Sequence, residues 1–319
     1  MAAKRSNLKC FLDSVTPVVD SHLFSETPSN KRSSICNHCG EENFVECFTL
    51  SDLWESLCEW SVYGVGVNIV LPNGESIVQY FVPYLSAIQL YTNEKFMASS
   101  RNLGSDNEMC GSGKDYHKKE PSQSSSTFSM DSIFSKMDLG DAKKDLGCKH
   151  FEYFEMSSPY TRMPLVDKVQ ELAQDFPDLN SFKIMELSPA SWMSISWYPI
   201  YTIPAQLDYE NYDACFLTYH RFSSTFQNDS DETLNLMSKC SDNTSKESFP
   251  SRNKVGKNDK NMAISLAPFG LATLKADGAL WNNPENGDST LAASLLCAAR
   301  SWLHQVQAQH HDFEFFINN

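Results

Sequence analysis

Residues 188–222, SPASWMSISWYPIYTIPAQLDYENYDACFLTYHRF, carry the pattern that decides the fold. Side chains alternate along 192–198: Met193, Ile195 and Trp197 point one way, and Trp192, Ser194, Ser196 and Tyr198 the other. Pro199 and Pro204 end this strand and stiffen the acidic connection that follows. Residues 214–222 read as a second strand, apolar on both faces, as expected near the centre of a covered sheet. The stretch is the structural centre of the chain.

Upstream, Leu165, Val169, Leu172 and Phe176 recur at helical spacing, with Pro164 in the first turn and Pro177 as the stop. A short strand is expected over 183–187. In LSDLWESLCEWS (50–61), Ser51 can cap one helix whose apolar face is Leu53, Leu57 and Trp60. Two β-rich runs then flank Pro72-Asn73-Gly74-Glu75, a hairpin signal. Gly64 and Gly66 leave one face of the first run bare, open to another backbone or to a ligand. Pro83 implies an edge position or a bulge in the second run.

Downstream, 262–281 reads as a strand, a proline-containing break and a hairpin-like turn at Ala276-Asp277-Gly278. A helix starting near 288–290 carries Leu291, Leu295, Ala298, Trp302 and Val306 on one face. The run DFEFFI (312–317) reads as a terminal strand.

Between these blocks the texture changes. Residues 1–48 read as a loose N-terminal segment holding a short helix over 8–15. Residues 97–150 and 223–261 read as disordered insertions, polar and charge-balanced, with eight Lys/Arg against eight Asp/Glu in the first and six against six in the second. What remains is one α+β domain over 49–319, a mostly antiparallel sheet packed by about three helices.

The chain of 319 residues carries a net charge of −14, and the three ordered blocks hold twenty acids against seven Lys/Arg. Such a surface repels phosphate backbones and anionic membranes. No run reaches the roughly 18–20 apolar residues that cross a bilayer. Ten unpatterned cysteines behind a start without a secretory signal point to reduced thiols in the cytoplasm, the nucleus or both.

Candidate chemistry is sparse. Cys36 and Cys39 have the gap of half a zinc site, but Cys47 and Cys58 are poor completing ligands, and no metal is assigned. Cys215 and His220, five apart in a strand, face opposite ways and cannot act as nucleophile and base. His310-His311-Asp312 lacks zincin spacing, and no phosphate loop, dinucleotide fingerprint or nucleophile elbow is present, so no cofactor is assigned. Ser105, followed by Glu108, is a candidate phosphorylation site in the first insertion. Arg162 and Arg221 stand out where cations are scarce; each either holds an anionic ligand or pairs with acids. With His220, they are the candidate ligand-binding residues.

VQYFVPYLSAIQLYT (78–92), EYFE (152–155), SPASWMSISWYPIYTIP (188–204), DACFLTYHRF (213–222), FGLATLK (269–275), Trp281 and SWL (301–303) together resemble the plant family catalogued as domain of unknown function 789. The resemblance covers 49–319 outside the insertions. It implies a plant intracellular protein and supplies no activity, cofactor or catalytic residue. The expected function is therefore a non-catalytic protein-interaction or regulatory domain. The alternative is a small-molecule-binding protein or unrecognised enzyme, with a pocket near Gly64 and Gly66 or near Arg162.

Overall fold

The computed structural model describes residues 6–25, 44–92, 146–205, 213–223, 262–276, 278, 280–283 and 286–319. In chain order they form α1 (Asn7–Ser14), β1 (Val18–Asp20), β2 (His22–Ser25), β3 (Phe44–Cys47), α2 (Leu50–Ser56), α3 (Cys58–Tyr63), β4 (Val65–Val70), β5 (Ser76–Thr92) and β6 (Cys148–Phe154). There follow α4 (Leu165–Asp175), α5 (Asp178–Ser181), β7 (Trp192–Ile203), β8 (Cys215–Arg221), β9 (Ala263–Ser265), β10 (Gly270–Leu274), α6 (Asp288–Gln305) and α7 (His311–Asn318).

The Asn-Gly hairpin forms as its composition requires. Gly74 takes φ +87°, and Asn73 Oδ1 accepts from the Glu75 amide at 3.0 Å. β4 and β5 then pair from Val70 with Ser76 to Val65 with Phe81. β5 is the spine of an antiparallel sheet ordered β10-β8-β7-β5-β4. One edge of β5 carries β7; the other carries β4 along 76–81 and β6 along 87–92. Pro83 falls between those last two pairings, so β5 runs through it unbroken near the middle of the sheet. Pro83 is thus unpaired on the β4 and β6 side, a local edge flanked by register shifts at Tyr80/Phe81 and Leu85/Ala87, in line with the edge or bulge expected for it.

The alternation along β7 divides the core as its sequence predicts. Met193, Ile195 and Trp197 are wholly buried beneath the α1–α5 side, where Phe11 of α1 stacks on Phe216 at 4.0 Å. Trp192 faces the other way, among Tyr219, Trp302, Phe313 and Phe316 under α6 and α7. The architecture is α+β, a six-stranded, mostly antiparallel sheet with helices on both faces.

Several expectations need correction. The N-terminal segment is not loose over its described residues: Leu8, Phe11 and Val15 are buried in the main core, and Asn7 clips the end of β4 through both its amide nitrogen and its oxygen on Val70. The short helix expected over 8–15 forms as α1, Asn7–Ser14. The first insertion ends earlier than expected, because β6 begins at Cys148 with the polar pair Lys149 and His150 on an edge strand. The 50–61 helix breaks in two at Leu57, and its cap is Thr49, which forms a reciprocal box with Asp52. Residues Ile184–Glu186 form a 3₁₀ turn rather than a strand. DFEFFI is helical: Phe313 and Phe316 face the core while Phe315 and Ile317 are exposed, a three-residue spacing that the alternating look of the run conceals. Seven helices exist among the described residues where periodicity reveals about three, because the others span only one or two turns.

Candidate functional site

The 155–162 loop is fixed by a carboxylate at its base. Glu155 is buried, accepts from the Met156 and Ser157 amides at 3.0 and 2.8 Å, and accepts the Tyr153 hydroxyl at 2.8 Å. Burial by itself raises its pKa, but the Ser157 amide, the Tyr153 hydroxyl and the nearby Arg162 charge outweigh that and hold it low. Arg162 closes the loop by donating from Nε and Nη2 to the Ser157 carbonyl, both at 3.0 Å. Tyr160, at the tip, is 98% exposed.

Beneath this loop Arg162 meets Asp312 of α7 in a bidentate pair, both contacts at 2.7 Å. Nη1 also donates to Ser196 at 3.0 Å, so all five guanidinium N–H directions are used within the protein. Burial disfavours the charged guanidinium, and the hydrogen bonds and charge of Asp312 more than restore it. Ser86 donates to Asp312 at 2.5 Å, its oxygen lies 2.9 Å from His310 Nε2, and the Tyr219 hydroxyl lies 2.7 Å from His310 Nδ1. Ser86 has one proton, and Asp312 takes it. His310 therefore donates from Nε2 to Ser86 and accepts Tyr219 at Nδ1. Burial pushes the His310 pKa down to about 4, consistent with this neutral imidazole.

The trio of Ser86, His310 and Asp312 has the residue types of a hydrolytic triad but not its connectivity. In a triad the imidazole takes the serine proton and the carboxylate orients the imidazole. Here the carboxylate takes the serine proton directly, and Ser86 is wholly buried. The network fastens α7 to the sheet.

Beside it opens a cleft of about 930 Å³. Its floor is the sheet, with Tyr84, Tyr198, Pro199 and Leu274; its walls are the 156–162 loop and Phe315 of α7. The rim projects apolar side chains into solvent: besides Tyr160, these are Met156 (68% exposed), Ile200 (48%) and Phe315 (41%). The formal charges in the lining compensate in pairs, Arg162 with Asp312 and Lys275 with Asp213 at 2.6 Å. Cys215 also lines the cleft, but burial raises its thiol to about 12, far from a thiolate at neutral pH.

The three candidate residues are not brought together. Arg162 lies at the cleft, paired with an acid. His220 lies on the opposite sheet face, wholly buried, with Nδ1 donating to the Leu266 carbonyl at 2.8 Å and Nε2 2.8 Å from Thr218 Oγ1. Burial lowers its pKa to about 4. Trp197 Nε1 donates to the same Thr218 oxygen at 2.9 Å, so the three side chains form a structural relay. Arg221 is held between the rings of Phe269 and Trp302, 4.6 and 4.4 Å from their centroids. No opening exists at the two glycines: a Cβ on Gly64 would meet Phe81 O and Ile200, and one on Gly66 would meet Val78 and the Tyr80 ring. The cleft lies instead at the other expected position, beside Arg162. Sequence reasoning sets His310 and Asp312 aside for want of zincin spacing, and no local signal shows their burial; Cys36, Cys39 and Ser105 lie outside the described residues. Among the described residues no cluster of metal-ligating side chains forms, and no helix is long and apolar enough to cross a membrane.

Fold and cleft thus define an α+β domain whose conspicuous surface feature is an apolar, charge-compensated groove. The chain belongs to the family described as Protein of unknown function (DUF789), whose model matches residues 6–316. Neither a curated protein nor a solved structure matches it.

Proposed function

We propose that the chain is a non-catalytic protein-interaction domain whose cleft beside α7 takes an apolar segment of a protein partner. The observation that carries this reading is the rim: Tyr160, Met156, Ile200 and Phe315 stand exposed around a floor with no uncompensated charge. Exposed apolar side chains grouped around a groove mark macromolecular contact. Tyr160 sits on a loop already fixed by Glu155 and Arg162, so little conformational entropy is lost when a partner engages it. The polar groups near the groove are spent on one another, which supports a binding rather than a catalytic role.

A pull-down comparing the wild-type chain with a Tyr160→Ala/Phe315→Ala variant tests the reading. A partner retained reproducibly by the wild type and lost by the variant supports it; identical recovery by both sinks it. The second reading, a small-molecule site, is favoured by the cleft volume, which falls in the range of about 300–1,000 Å³ typical of ligand pockets. It expects a discrete metabolite to co-purify with the wild-type chain and to disappear from a Leu274→Trp variant that fills the floor.

A further inference from the structure

Four carboxylates stand on the elements that wall the cleft: Glu155 at the base of the loop, Asp213 at the head of β8, and Asp312 and Glu314 on α7. Two cations answer them, Arg162 and Lys275, and both are engaged by Asp312 and Asp213. Glu314 is exposed next to the rim residue Phe315. Glu155 is buried and bonded within its own loop, so the exposed acid outside the two pairs is Glu314, and it has the same sign as the chain's net charge of −14. The groove itself is apolar.

Resting on the protein-binding reading above, we infer that the segment the cleft accepts is cationic: a polypeptide stretch with an aromatic or aliphatic anchor flanked by lysine or arginine. The anchor covers Tyr198, Leu274 and Phe315, and the flanking cations stand towards Glu314, the exposed acid of α7. Each part meets the surface suited to it. The apolar anchor supplies affinity by leaving water, and the cations supply steering and orientation. The chain's field draws such a segment in from a distance and repels an acidic or phosphorylated one, with a range set by ionic strength.

The test is selection of a random linear peptide library displayed on phage against the immobilised full-length chain. Enriched clones are expected to carry Lys or Arg around Trp, Phe or Leu and to be released from Tyr160→Ala and Phe315→Ala chains. Synthetic versions are expected to lose about tenfold in affinity between low and high salt. Enrichment of neutral or acidic clones that still require Phe315 overturns the inference while leaving the cleft reading intact. No enrichment, or clones indifferent to both substitutions, overturns both. Dimerisation of the wild-type chain that Phe315→Ala abolishes assigns the groove to a second copy and also overturns the inference.

Discussion

Arg162 and Asp312, 150 residues apart in the chain, form a bidentate pair with both contacts at 2.7 Å and side chains only 2% and 3% exposed. Removing one partner leaves the other charge buried without compensation. Asp312→Ala and Arg162→Ala are each expected to destabilise the fold by about 3–5 kcal/mol. The apolar double variant Arg162→Met/Asp312→Leu is expected to recover much of that loss, because it buries no charge. Urea unfolding of the three variants checks this. A single variant within about 1 kcal/mol of wild type would count against the pair as the fastening of α7.

His220 and His310 give the fold a pH dependence of definite sign. Both have folded-state pKa values lowered by burial from 6.5 to about 4. Between those limits the unfolded chain binds more protons than the folded one, so stability rises with pH across the window. The contribution is present in full above pH 6.5 and is lost as pH falls towards 4. Each histidine accounts for on the order of 3 kcal/mol across the window. Stability measured from pH 7 to 4.5 is expected to fall less steeply for His220→Gln than for the wild type. Parallel slopes would show that His220 does not remain neutral in the fold.

Thr218 lies between Trp197 and His220, accepting from one and bonding to the other. Thr218→Val keeps the shape and removes the hydroxyl, leaving the indole N–H and the imidazole Nε2 buried without that partner. A loss of about 2–4 kcal/mol is expected, from one to two unsatisfied buried groups. Chemical denaturation of this variant beside Thr218→Ser, which restores the hydroxyl, separates the hydrogen bonds from the methyl group.

Gly64 and Gly74 both have positive φ, +77° and +87°, but their surroundings differ. A Cβ at Gly64 would lie 2.9 Å from Phe81 O, whereas at Gly74 nothing lies within 4 Å. Gly74→Ala is expected to cost only the left-handed backbone penalty of about 1–2 kcal/mol. Gly64→Ala adds a clash with the main chain and is expected to cost clearly more. Melting temperatures in the same order for both variants would mean that the β5 backbone yields there.

The sheet was legible because its centre obeys a short-range rule. Met193, Ile195 and Trp197 against Trp192, Ser194 and Ser196 is a period of two that local sequence states directly, and the Asn73-Gly74 turn fixes a register on its own. The separation of Cys215 from His220 follows from the same period, and the two residues lie on opposite faces. The site was much less legible. His310 and Asp312 become buried only because Ser86, Arg162 and Tyr219 reach them from distant parts of the chain. No local pattern encodes such a meeting. Arg162 was visible as a rare cation, yet its partner was not. The helix α7 was misread for a related reason: all six side chains in DFEFFI are apolar or acidic, and only the core it packs on chooses between the two periods.

The pairing of Thr92 with Cys148 has a consequence for how this chain tolerates change. These two residues close the β5–β6 junction like a clasp, so the sheet registers where the chain leaves and where it returns but not how many residues lie between. Gly147 sits inside that clasp at φ +81°, where a Cβ would lie 2.5 Å from the Thr92 carbonyl oxygen. The entry of the chain into β6 therefore rests on the absence of a single carbon atom.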